Sequence, residues 1–356
     1  MGTKFMSKLK IGYWPLSKNL NSPGDRRRLI FWANSRGHKV ETNLDKKVDL
    51  IIASENSDFN SPYFSRFEIP VIFDLIDAYL SPLNISDDLG RGLAKKVTGQ
   101  ITGEIKPYSH HVRDFCNRAN AVICSSIEQQ VLIKPYNKNS HVILDSHKEI
   151  SFVEPRNDKR FSRNESRILW EGQPATIRGV KNIAPILTQL AKEKKFTLDF
   201  VTDENYYKYL NRYFSKSTQT LLKRDLHQIE DRIKLTPWTS NNLVECAKRS
   251  DMAMIPIDLS VPMQRLKPEN RLLIMWRLGL PCLTSASPAY VRVASQAGVS
   301  SACHSNHEWL ANFNRYLEDP GFAHREVLLG QNYLRENHSE ATLLKKWDSV
   351  VESVME

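Results

Sequence analysis

Short apolar runs alternate with longer segments of helical spacing along almost the whole chain. Apolar runs separated by helix-length patterns are typical of parallel β-sheets with helical crossovers. In the first half, the runs cover residues 11–14, 48–53, 69–77, 121–126 and 141–145. In the second half, they cover residues 167–172, 196–201, 233–235 and 252–256. The pattern therefore predicts an α/β protein built from two successive doubly wound halves.

A polar and charged stretch at residues 154–160 separates the two halves. Such a stretch between periodic segments is typical of a linker. It predicts two domains, residues 1–155 and residues 163–338. From about His307 onward the pattern is mostly helical, and we expect residues 339–356 to form a helix that packs back on the first domain.

The segment from Arg265 to Ser285 carries a helix followed by a strand. Pro268 suits the first position of a helix, where its missing N–H costs nothing. Apolar side chains then recur at helical spacing, and Gly279 is typical of a helix end. The short apolar run that begins at Cys282 predicts a strand.

The first turn of this predicted helix carries Lys267, Glu269, Asn270 and Arg271. A helix N-terminus offers free N–H groups and a partial positive charge, so it is a natural phosphate site. Lys267 and Arg271 would strengthen such a site, and Glu269 and Asn270 could hold hydroxyl groups. The alternative is a surface helix with scattered charges.

This segment resembles the donor-binding segment of GT-B glycosyltransferases, in particular the large retaining group around glycosyltransferase family four. The resemblance rests on the order of its parts: Lys-x-x-Asn-Arg-Leu, an apolar helix, Gly-Leu-Pro, and a strand that ends in Ser-x-x-Pro. The resemblance implies two Rossmann-like doubly wound domains that face a cleft, followed by a C-terminal helical tail. It places the acceptor on the side of the first domain and the nucleotide-sugar donor on the side of the second. Many members carry two glutamates eight positions apart in this segment. Leu266 and Ile274 stand at those positions here, which leaves Glu269 and Asn270 as the nearest substitutes.

A second resemblance lies after the first strand of the second half, at residues 172–179. It resembles the glycine loop of the family, in which a basic residue next to a glycine contacts the donor diphosphate. Arg178 stands there, between Gly172 and Gly179 at the loop ends, and arginine can bind phosphate oxygens in a bidentate manner. The alternative is an ordinary glycine turn.

The chain has no Asp-x-Asp motif of the kind that holds a metal ion against a sugar diphosphate. Arg178, Lys267 and the helix N-terminus could neutralise the leaving diphosphate instead. We therefore expect a metal-independent reaction and no cofactor besides the nucleoside-diphosphate sugar that serves as donor substrate. Asp77, at the end of the run from 69 to 77, is the candidate for a contact with the transferred sugar or the acceptor. The alternative for Asp77 is a helix cap or an Asx turn.

Three consecutive arginines, Arg26, Arg27 and Arg28, follow Asp25 in the first half. Asp25 is a plausible N-cap of a helix that ends at Gly37. Cations in a first helical turn oppose the helix dipole, so local stability does not explain them. We expect at least one of them to meet an anion, such as a phosphate of the acceptor or donor or an acidic lipid headgroup. The alternative is a solvated basic face.

The composition describes a globular protein with 41% hydrophobic residues and a net charge of +10. The charge favours an anionic partner, and without a basic tail or an aromatic-interleaved basic run we expect no nucleic acid. No apolar run reaches the roughly 18–20 residues that span a bilayer, and the first residues lack the apolar core of a signal peptide. Five widely spaced cysteines suit a reducing compartment. These features predict a cytoplasmic protein that also associates peripherally with an acidic membrane surface.

Together, these observations predict a hexosyltransferase-like enzyme that moves a sugar from a nucleotide donor to a hydroxyl of a glycan or lipid-linked acceptor, with a role in cell-surface glycan assembly. Retention of the anomeric configuration is implied by the resemblance alone. Two alternatives stay open: a sugar-nucleotide epimerase or hydrolase of the same fold, and a non-catalytic protein that binds nucleotide sugars.

Overall fold

The computed structural model describes residues 8–65, 68–82, 84–155, 165–207 and 215–356. The chain divides into two compact units. The first comprises Met1–Ser146 together with Glu340–Glu356, and the second comprises His147–Ser339. Each unit is built on a parallel sheet of six strands. The prediction of an α/β fold with two doubly wound halves and a C-terminal helical tail is confirmed.

The sheet of the first unit has the order β2-β1-β3-β4-β5-β6. Its strands are β1 (Lys10–Trp14), β2 (Lys39–Glu41), β3 (Leu50–Ser54), β4 (Val71–Leu75), β5 (Ala121–Cys124) and β6 (Ser140–Val142). Successive side chains of a strand point to opposite faces, so a sheet covered on both sides needs continuous apolar strands. In β3, Leu50 and Ile52 belong to one core cluster, whereas Ile51 and Ala53 belong to the other.

Helices cover both faces of this sheet. The helices of the first unit are α1 (Ile30–Arg36), α2 (Ile85–Val97), α3 (Tyr108–Arg118), α4 (Ile127–Ile133) and, from the end of the chain, α14 (Glu340–Met355). A π-helical turn, Asp25–Leu29, precedes α1, and a 3-10 turn covers Pro62–Ser65. Helix α1 ends at Gly37, which has a positive φ of 70° that suits glycine.

The last helix packs on the first helix of the first unit. The rings of Trp32 and Trp347 stack at 5.6 Å between centroids. The Trp32 Nε1–H also donates to the Asp348 carboxylate at 2.8 Å. The first unit therefore consists of both ends of the chain.

The sheet of the second unit has the order β11-β8-β7-β12-β13-β14. Its strands are β7 (Ser166–Glu171), β8 (Phe196–Thr202), β11 (Ile233–Pro237), β12 (Met252–Ile255), β13 (Cys282–Ser285) and β14 (Ala302–Cys303), and β9 (Asn205–Tyr207) pairs with β10 (Ser215–Ser217) in a separate antiparallel ribbon. All neighbours in the main sheet pair in parallel.

The helices of the second unit are α5 (Ile177–Asn182), α6 (Ala184–Glu193), α7 (Thr218–Asp225), α8 (Ser240–Arg249), α9 (Pro262–Arg265), α10 (Asn270–Arg277), α11 (Pro288–Ala297), α12 (Asn306–Glu318) and α13 (Pro320–Asn337). Two 3-10 turns cover Pro174–Thr176 and His227–Arg232. In the part of the chain that the structure describes, no helix is both long enough and apolar enough to cross a membrane.

The boundary between the units differs from the predicted one. The predicted first domain, 1–155, includes residues 147–155, which belong to the second unit. Hydrogen bonds explain the difference: the Val153 N–H donates to the Arg277 carbonyl at 2.9 Å, and the Gln331 amide donates to the Val153 carbonyl at 2.8 Å. Residues 156–164 lie outside the described residues, and they include most of the predicted linker and the predicted domain start at 163.

Candidate functional site

Three segments of the second unit meet at the carboxyl ends of the neighbouring strands β7 and β12. Ligands of open parallel sheets bind at this edge. Gly179, in α5, allows a close approach to the chain after β12, because an added Cβ would lie 2.2 Å from the Pro256 carbonyl oxygen. Gly172 lies directly beneath Arg271, since a Cβ there would lie 3.0 Å from the Arg271 Nη2. Both glycines therefore bring backbone and side chains together at this edge.

Arg178 stands on α5 and is 62% exposed. Its Nε lies 2.5 Å from the Oδ2 of Asp258, which is only 5% exposed. Burial acts to raise the pKa of Asp258, but hydrogen bonds from Ser260 and the charge of Arg178 outweigh burial and lower that pKa. Asp258 therefore stays ionised and orients a guanidinium that faces solvent.

Arg271 has a different environment from the one predicted. Its Nη2 donates to the backbone carbonyl of Glu171, at the end of β7, and its Nε lies 3.7 Å from the Glu171 carboxylate. The guanidinium also lies 5.3 Å from the centroid of the Trp170 ring. Arg271 thus fixes the start of α10 against β7, whereas Arg178 is exposed.

The Glu171 carboxylate is a site feature that sequence reasoning missed. Its Oε1 accepts a hydrogen bond from the Trp238 indole at 3.0 Å, whereas its buried Oε2 has no hydrogen-bond partner among the described residues. Glu171 directly precedes Gly172, where the predicted glycine loop begins. This position was the one feature of the sequence that could have identified Glu171 as a site residue.

Glu269 is the N-cap residue of α10, and it is buried. Its two carboxylate oxygens lie 3.2 and 3.3 Å from the two terminal nitrogens of Arg292 on α11. The fork geometry of arginine favours such a bidentate pair. Glu269 therefore holds two helices together, and Arg292, its partner 23 positions away, is not predictable from local sequence.

Helix α10 begins at Asn270, so Pro268 precedes the helix and does not form its first residue as predicted. The reason is the turn after α9, in which the Lys267 N–H donates to the Gln264 carbonyl at 3.1 Å. Lys267 and Asn270 are both half-buried at the start of α10. The first N–H groups of an α-helix have no partner within the helix, so this end favours an anion.

The positions of the two absent glutamates differ from each other. Ile274 is buried within α10, where an unpaired carboxylate would be costly. Leu266 lies in the turn between α9 and α10 and is half-buried. Of the predicted substitutes, Glu269 is held by a bidentate ion pair with Arg292.

In the first unit, Arg28 is fully buried and ion-paired with Asp74. Its Nη2 lies 2.5 Å from the Asp74 Oδ1, its Nε donates to the Oδ2 at 2.9 Å, and its Nη1 donates to the Ile143 carbonyl at 2.7 Å. Burial raises the pKa of Asp74, and the charge of Arg28 opposes that change. Arg28 is therefore not the arginine of the triplet that meets an external anion, because its anion is a carboxylate of the core.

The other arginines of the triplet are also engaged. Arg26 donates from Nη1 to the Asn21 carbonyl at 2.7 Å, and Arg27 is buried. Asp25 is not the N-cap, a position that Gly24 occupies. The Asp25 carboxylate is fully buried and accepts hydrogen bonds from the Tyr13 hydroxyl at 2.6 Å and from the loop that follows β1.

Asp77 follows β4, and its backbone is held from both sides. Its N–H donates to the Glu55 Oε2 at 2.9 Å, and its carbonyl accepts from the Gln129 amide at 3.0 Å. Glu55 directly follows β3, the neighbour of β4 in the sheet. Two carboxylates therefore share the carboxyl edge of the first sheet, and the half-buried side chain of Asp77 is one of them.

Lys95 is a second residue that sequence reasoning missed. Its Nζ lies 4.4 Å from the centroid of the Tyr108 ring. Burial lowers the pKa of Lys95 to about 8, although the charges of Glu55 and Asp77 act to raise it. Glu55, Asp77 and Lys95 therefore form one polar cluster with Tyr108 at the edge of the first sheet.

Among the described residues, no group of three or more His, Cys, Asp or Glu side chains could hold a metal ion. The five cysteines are all buried and unpaired. Burial raises the pKa of Cys116 and of Cys124 to about 12.

A scan against protein-family models and a search of curated proteins find no match to this chain. Solved structures do match. HepE of Anabaena, crystallised with UDP-glucose, superposes with a TM-score of 0.62 at 13% identity, over 97% of this chain and 100% of HepE. WaaG, a glycosyltransferase involved in lipopolysaccharide biosynthesis, superposes with a TM-score of 0.53 at 11% identity, over 96% of this chain and 98% of WaaG.

TarM superposes with a TM-score of 0.57 at 10% identity, over 85% of this chain but 54% of TarM, so this chain spans about half the length of TarM. A second TarM structure, from S. aureus, contains UDP. Identities of this size establish the fold only. The fold of this chain is the GT-B architecture of these glycosyltransferases.

Proposed function

We propose that the protein is a glycosyltransferase that moves a sugar from a nucleoside-diphosphate sugar to an acceptor hydroxyl. One observation carries this proposal: in the second unit, the exposed guanidinium of Arg178, oriented by Asp258, lies on α5, the helix that follows β7 at the sheet edge. HepE and TarM, which share the fold, were crystallised with UDP-glucose and UDP.

The donor chemistry follows from the charges at this edge. Cleavage of the bond between sugar and diphosphate leaves a nucleoside diphosphate that carries additional negative charge. Arg178, Lys267 and the N-terminus of α10 are cationic or positively polarised groups of the same unit, and such groups stabilise a leaving oxyanion. This set supports a reaction that needs no divalent metal ion, and activity should then persist in excess chelator. Loss of activity that magnesium or manganese restores would contradict this part of the proposal.

The acceptor chemistry is assigned to the polar cluster of the first unit. A carboxylate can accept a hydrogen bond from a sugar hydroxyl and can assist removal of its proton. Asp77 is the candidate for this contact, with Glu55 and Lys95 as its neighbours. The retaining outcome and membership of the group around glycosyltransferase family four rest on the resemblance of residues 172–179 and 267–288.

The acceptor that we propose is a glycan or a lipid-linked glycan precursor at the cytoplasmic face of a membrane. The net charge of +10 favours an acidic surface. WaaG, which shares the fold, is involved in lipopolysaccharide biosynthesis.

A non-catalytic nucleotide-sugar-binding protein is the second candidate. Leu266 and Ile274 replace the two family glutamates, and the Glu269 carboxylate is bound by Arg292. Both observations remove carboxylates from the donor side. An epimerase or hydrolase of the same fold would consume the donor without an acceptor.

The test has two stages. Thermal unfolding with nucleoside diphosphates comes first, because a ligand that binds only the folded state raises the melting temperature. Consumption of the stabilising nucleotide sugar is then measured with and without a membrane or glycan extract. A transferase requires the acceptor, an epimerase or hydrolase does not, and a binding protein consumes no donor under either condition. Failure of every nucleoside diphosphate to shift the melting temperature would contradict the proposal.

A further inference from the structure

Helix α2 of the first unit has its apolar face toward solvent. Ile85, Leu89, Leu93 and Val97 recur every four residues, which places them in one stripe on the helix surface. They are 79%, 42%, 46% and 69% exposed. A surface helix ordinarily buries such a stripe and exposes its polar residues.

The opposite face of α2 is polar and is attached to the unit. Asp88 is buried, and its carboxylate accepts hydrogen bonds from the backbone N–H and the hydroxyl of Ser109 at 3.1 and 2.5 Å. Gly92 lies so close to the chain before α3 that an added Cβ would be 2.0 Å from the Lys106 carbonyl oxygen. These contacts fix the orientation of α2, so the unit holds the apolar stripe toward solvent.

A groove of about 530 Å³ adjoins the stripe. This volume is within the range of about 300–1,000 Å³ that is typical of small-molecule sites. Its lining includes Ile85 of α2 and, from α4 and the turn that follows, Val131, Leu132 and Tyr136. Ile85, Val131 and Tyr136 are also exposed, so the groove and the stripe form one apolar surface. Contiguous exposed apolar surface of this kind marks an interaction site.

The polar groups around the groove are predominantly basic. His110 and Arg113 line it, and the exposed Lys134 lies in sequence between two lining residues. Arg113 shares the carboxylate of Asp114 with Lys106, at 3.5 and 2.5 Å, so two cations meet one carboxylate beside the groove. Asp88 is the one carboxylate among its described lining residues, and it is occupied by Ser109. The rim therefore complements a negative charge.

From this geometry we infer that α2 and the groove dock on a bilayer that contains anionic lipid. The stripe lies in the interfacial region, the groove takes hydrocarbon of one lipid, and Arg113 and His110 meet its phosphate. A second copy of the chain fits less well, because a two-fold interface would bring two basic rims together. The inference deepens the membrane part of the proposed function and names the surface that carries it.

The first experiment measures co-sedimentation with vesicles of neutral phosphatidylcholine, with and without anionic phosphatidylglycerol. The wild-type chain should bind the anionic vesicles, and binding should weaken as salt increases. Leu89→Asp together with Leu93→Asp should lower the partition coefficient at least about tenfold, because apolar burial is lost and negative charge is added. Leu328→Asp together with Leu329→Asp is the matched control, since these leucines of the second unit are 39% and 40% exposed. This control should retain wild-type binding.

The second experiment tests the basic rim. Arg113→Gln should lower partition into anionic vesicles about fivefold, in line with roughly 1 kcal/mol per basic residue near such a surface. Lys248→Gln, an exposed lysine of the second unit, is the control and should have no effect. Circular dichroism and melting temperature verify that every variant is folded.

Three results would overturn the inference: no binding of the wild-type chain to anionic vesicles, equal loss of binding in the Leu328 and Leu329 control, or wild-type binding in the Leu89 and Leu93 variant. A dimer that this variant dissociates, without vesicle binding, would assign the surface to self-association and would also overturn it. UDP binding is measured in parallel. UDP binding without vesicle binding rejects this inference alone, whereas vesicle binding without binding of any nucleoside diphosphate rejects the proposed transferase alone.

Discussion

The two units each contain an arginine–aspartate pair with the same short contact of 2.5 Å, and the two pairs differ in burial. Arg28 and Asp74 in the first unit are 0% and 2% exposed. Arg178 in the second unit is 62% exposed, and only its partner Asp258 is buried. In a buried charge pair, the protein itself supplies the hydrogen-bond partners of both groups. An exposed arginine that binds a carboxylate through one side of its guanidinium still directs N–H groups toward solvent, where they can donate to a ligand. The contact between guanidinium and carboxylate is the same in both pairs, and the exposure of the guanidinium distinguishes the structural pair from the candidate ligand-binding pair.

The largest effect is expected at the buried pair. Arg28→Ala leaves the Asp74 carboxylate buried without its partner, which should lower the free energy of unfolding by about 3–5 kcal/mol. Denaturation in urea measures this loss. Arg36→Ala is the control, because Arg36 and Asp348 form a partly exposed pair that should contribute about 0–1 kcal/mol. Equal losses in both variants would contradict the distinction by burial.

The second prediction concerns the exposed pair. Arg178→Ala and Lys267→Ala should each weaken UDP binding by about 1.5–3 kcal/mol, the range for a lost charge-assisted hydrogen bond. The free energy of unfolding should fall much less than in Arg28→Ala, because Ser260 still donates two hydrogen bonds to the Asp258 carboxylate. Titration calorimetry measures the binding.

Arg224→Ala provides a close control for Arg178→Ala. Arg224 is an exposed arginine of the same unit, and its Nε lies 2.7 Å from the Oδ1 of Asp225, whose side chain is 6% exposed. It should leave UDP binding unchanged. Unchanged UDP affinity in both folded site variants, or an equal loss in the Arg224 variant, would remove the diphosphate assignment.

A third, smaller effect separates two neighbours at the start of α10. Asn270→Ala should weaken UDP binding by about 0.5–1.5 kcal/mol while binding of inorganic pyrophosphate stays constant, because the lost contact is to the ribose. Glu269→Gln should mainly lower stability, since the Glu269 carboxylate binds Arg292. If instead Glu269→Gln weakened UDP binding and Asn270→Ala mainly lowered stability, Glu269 would be the residue that contacts the nucleotide.

The last prediction is a pH dependence at the polar cluster of the first unit. The pKa of Lys95 is lowered to about 8 in the folded state, so the unfolded state binds more protons above that pH. The stability of the wild-type chain should therefore rise relative to Lys95→Met between about pH 8 and pH 10.5. Below pH 8 the difference should be constant. Parallel pH profiles for the two chains would contradict the burial of a charged Lys95.

Local patterns predicted much of the second unit's edge. Gly279 follows the C-cap of α10 and has a positive φ of 70°, as expected for a glycine at a helix end. The strand β13 then begins at Cys282, as the sequence predicts. These features depend on neighbours in the chain. The position of Pro268 was missed because the preceding turn, with the Lys267 N–H bonded to Gln264, delays the start of α10 to Asn270.

Long-range partners account for the other errors. Arg28 and Asp74 are 46 positions apart, and Arg271 donates to Glu171 from 100 positions away. No local periodicity encodes such pairs, so the sequence offered no partner for Arg271 at its predicted phosphate site or for Arg28 within the arginine triplet. Lys95 was missed for a related reason, because α2 buries its polar face and exposes its apolar one.

The return of the last helix to the first unit has a consequence for biosynthesis. The Trp32 indole meets Asp348 across 316 positions, so the core beside α1 stays open until the final helix leaves the ribosome. The second unit, His147–Ser339, is continuous and can close earlier. Contacts of such high sequence separation slow folding, and an exposed apolar intermediate is prone to aggregation. Nascent chains that lack the last helix should therefore bind chaperones through their first unit.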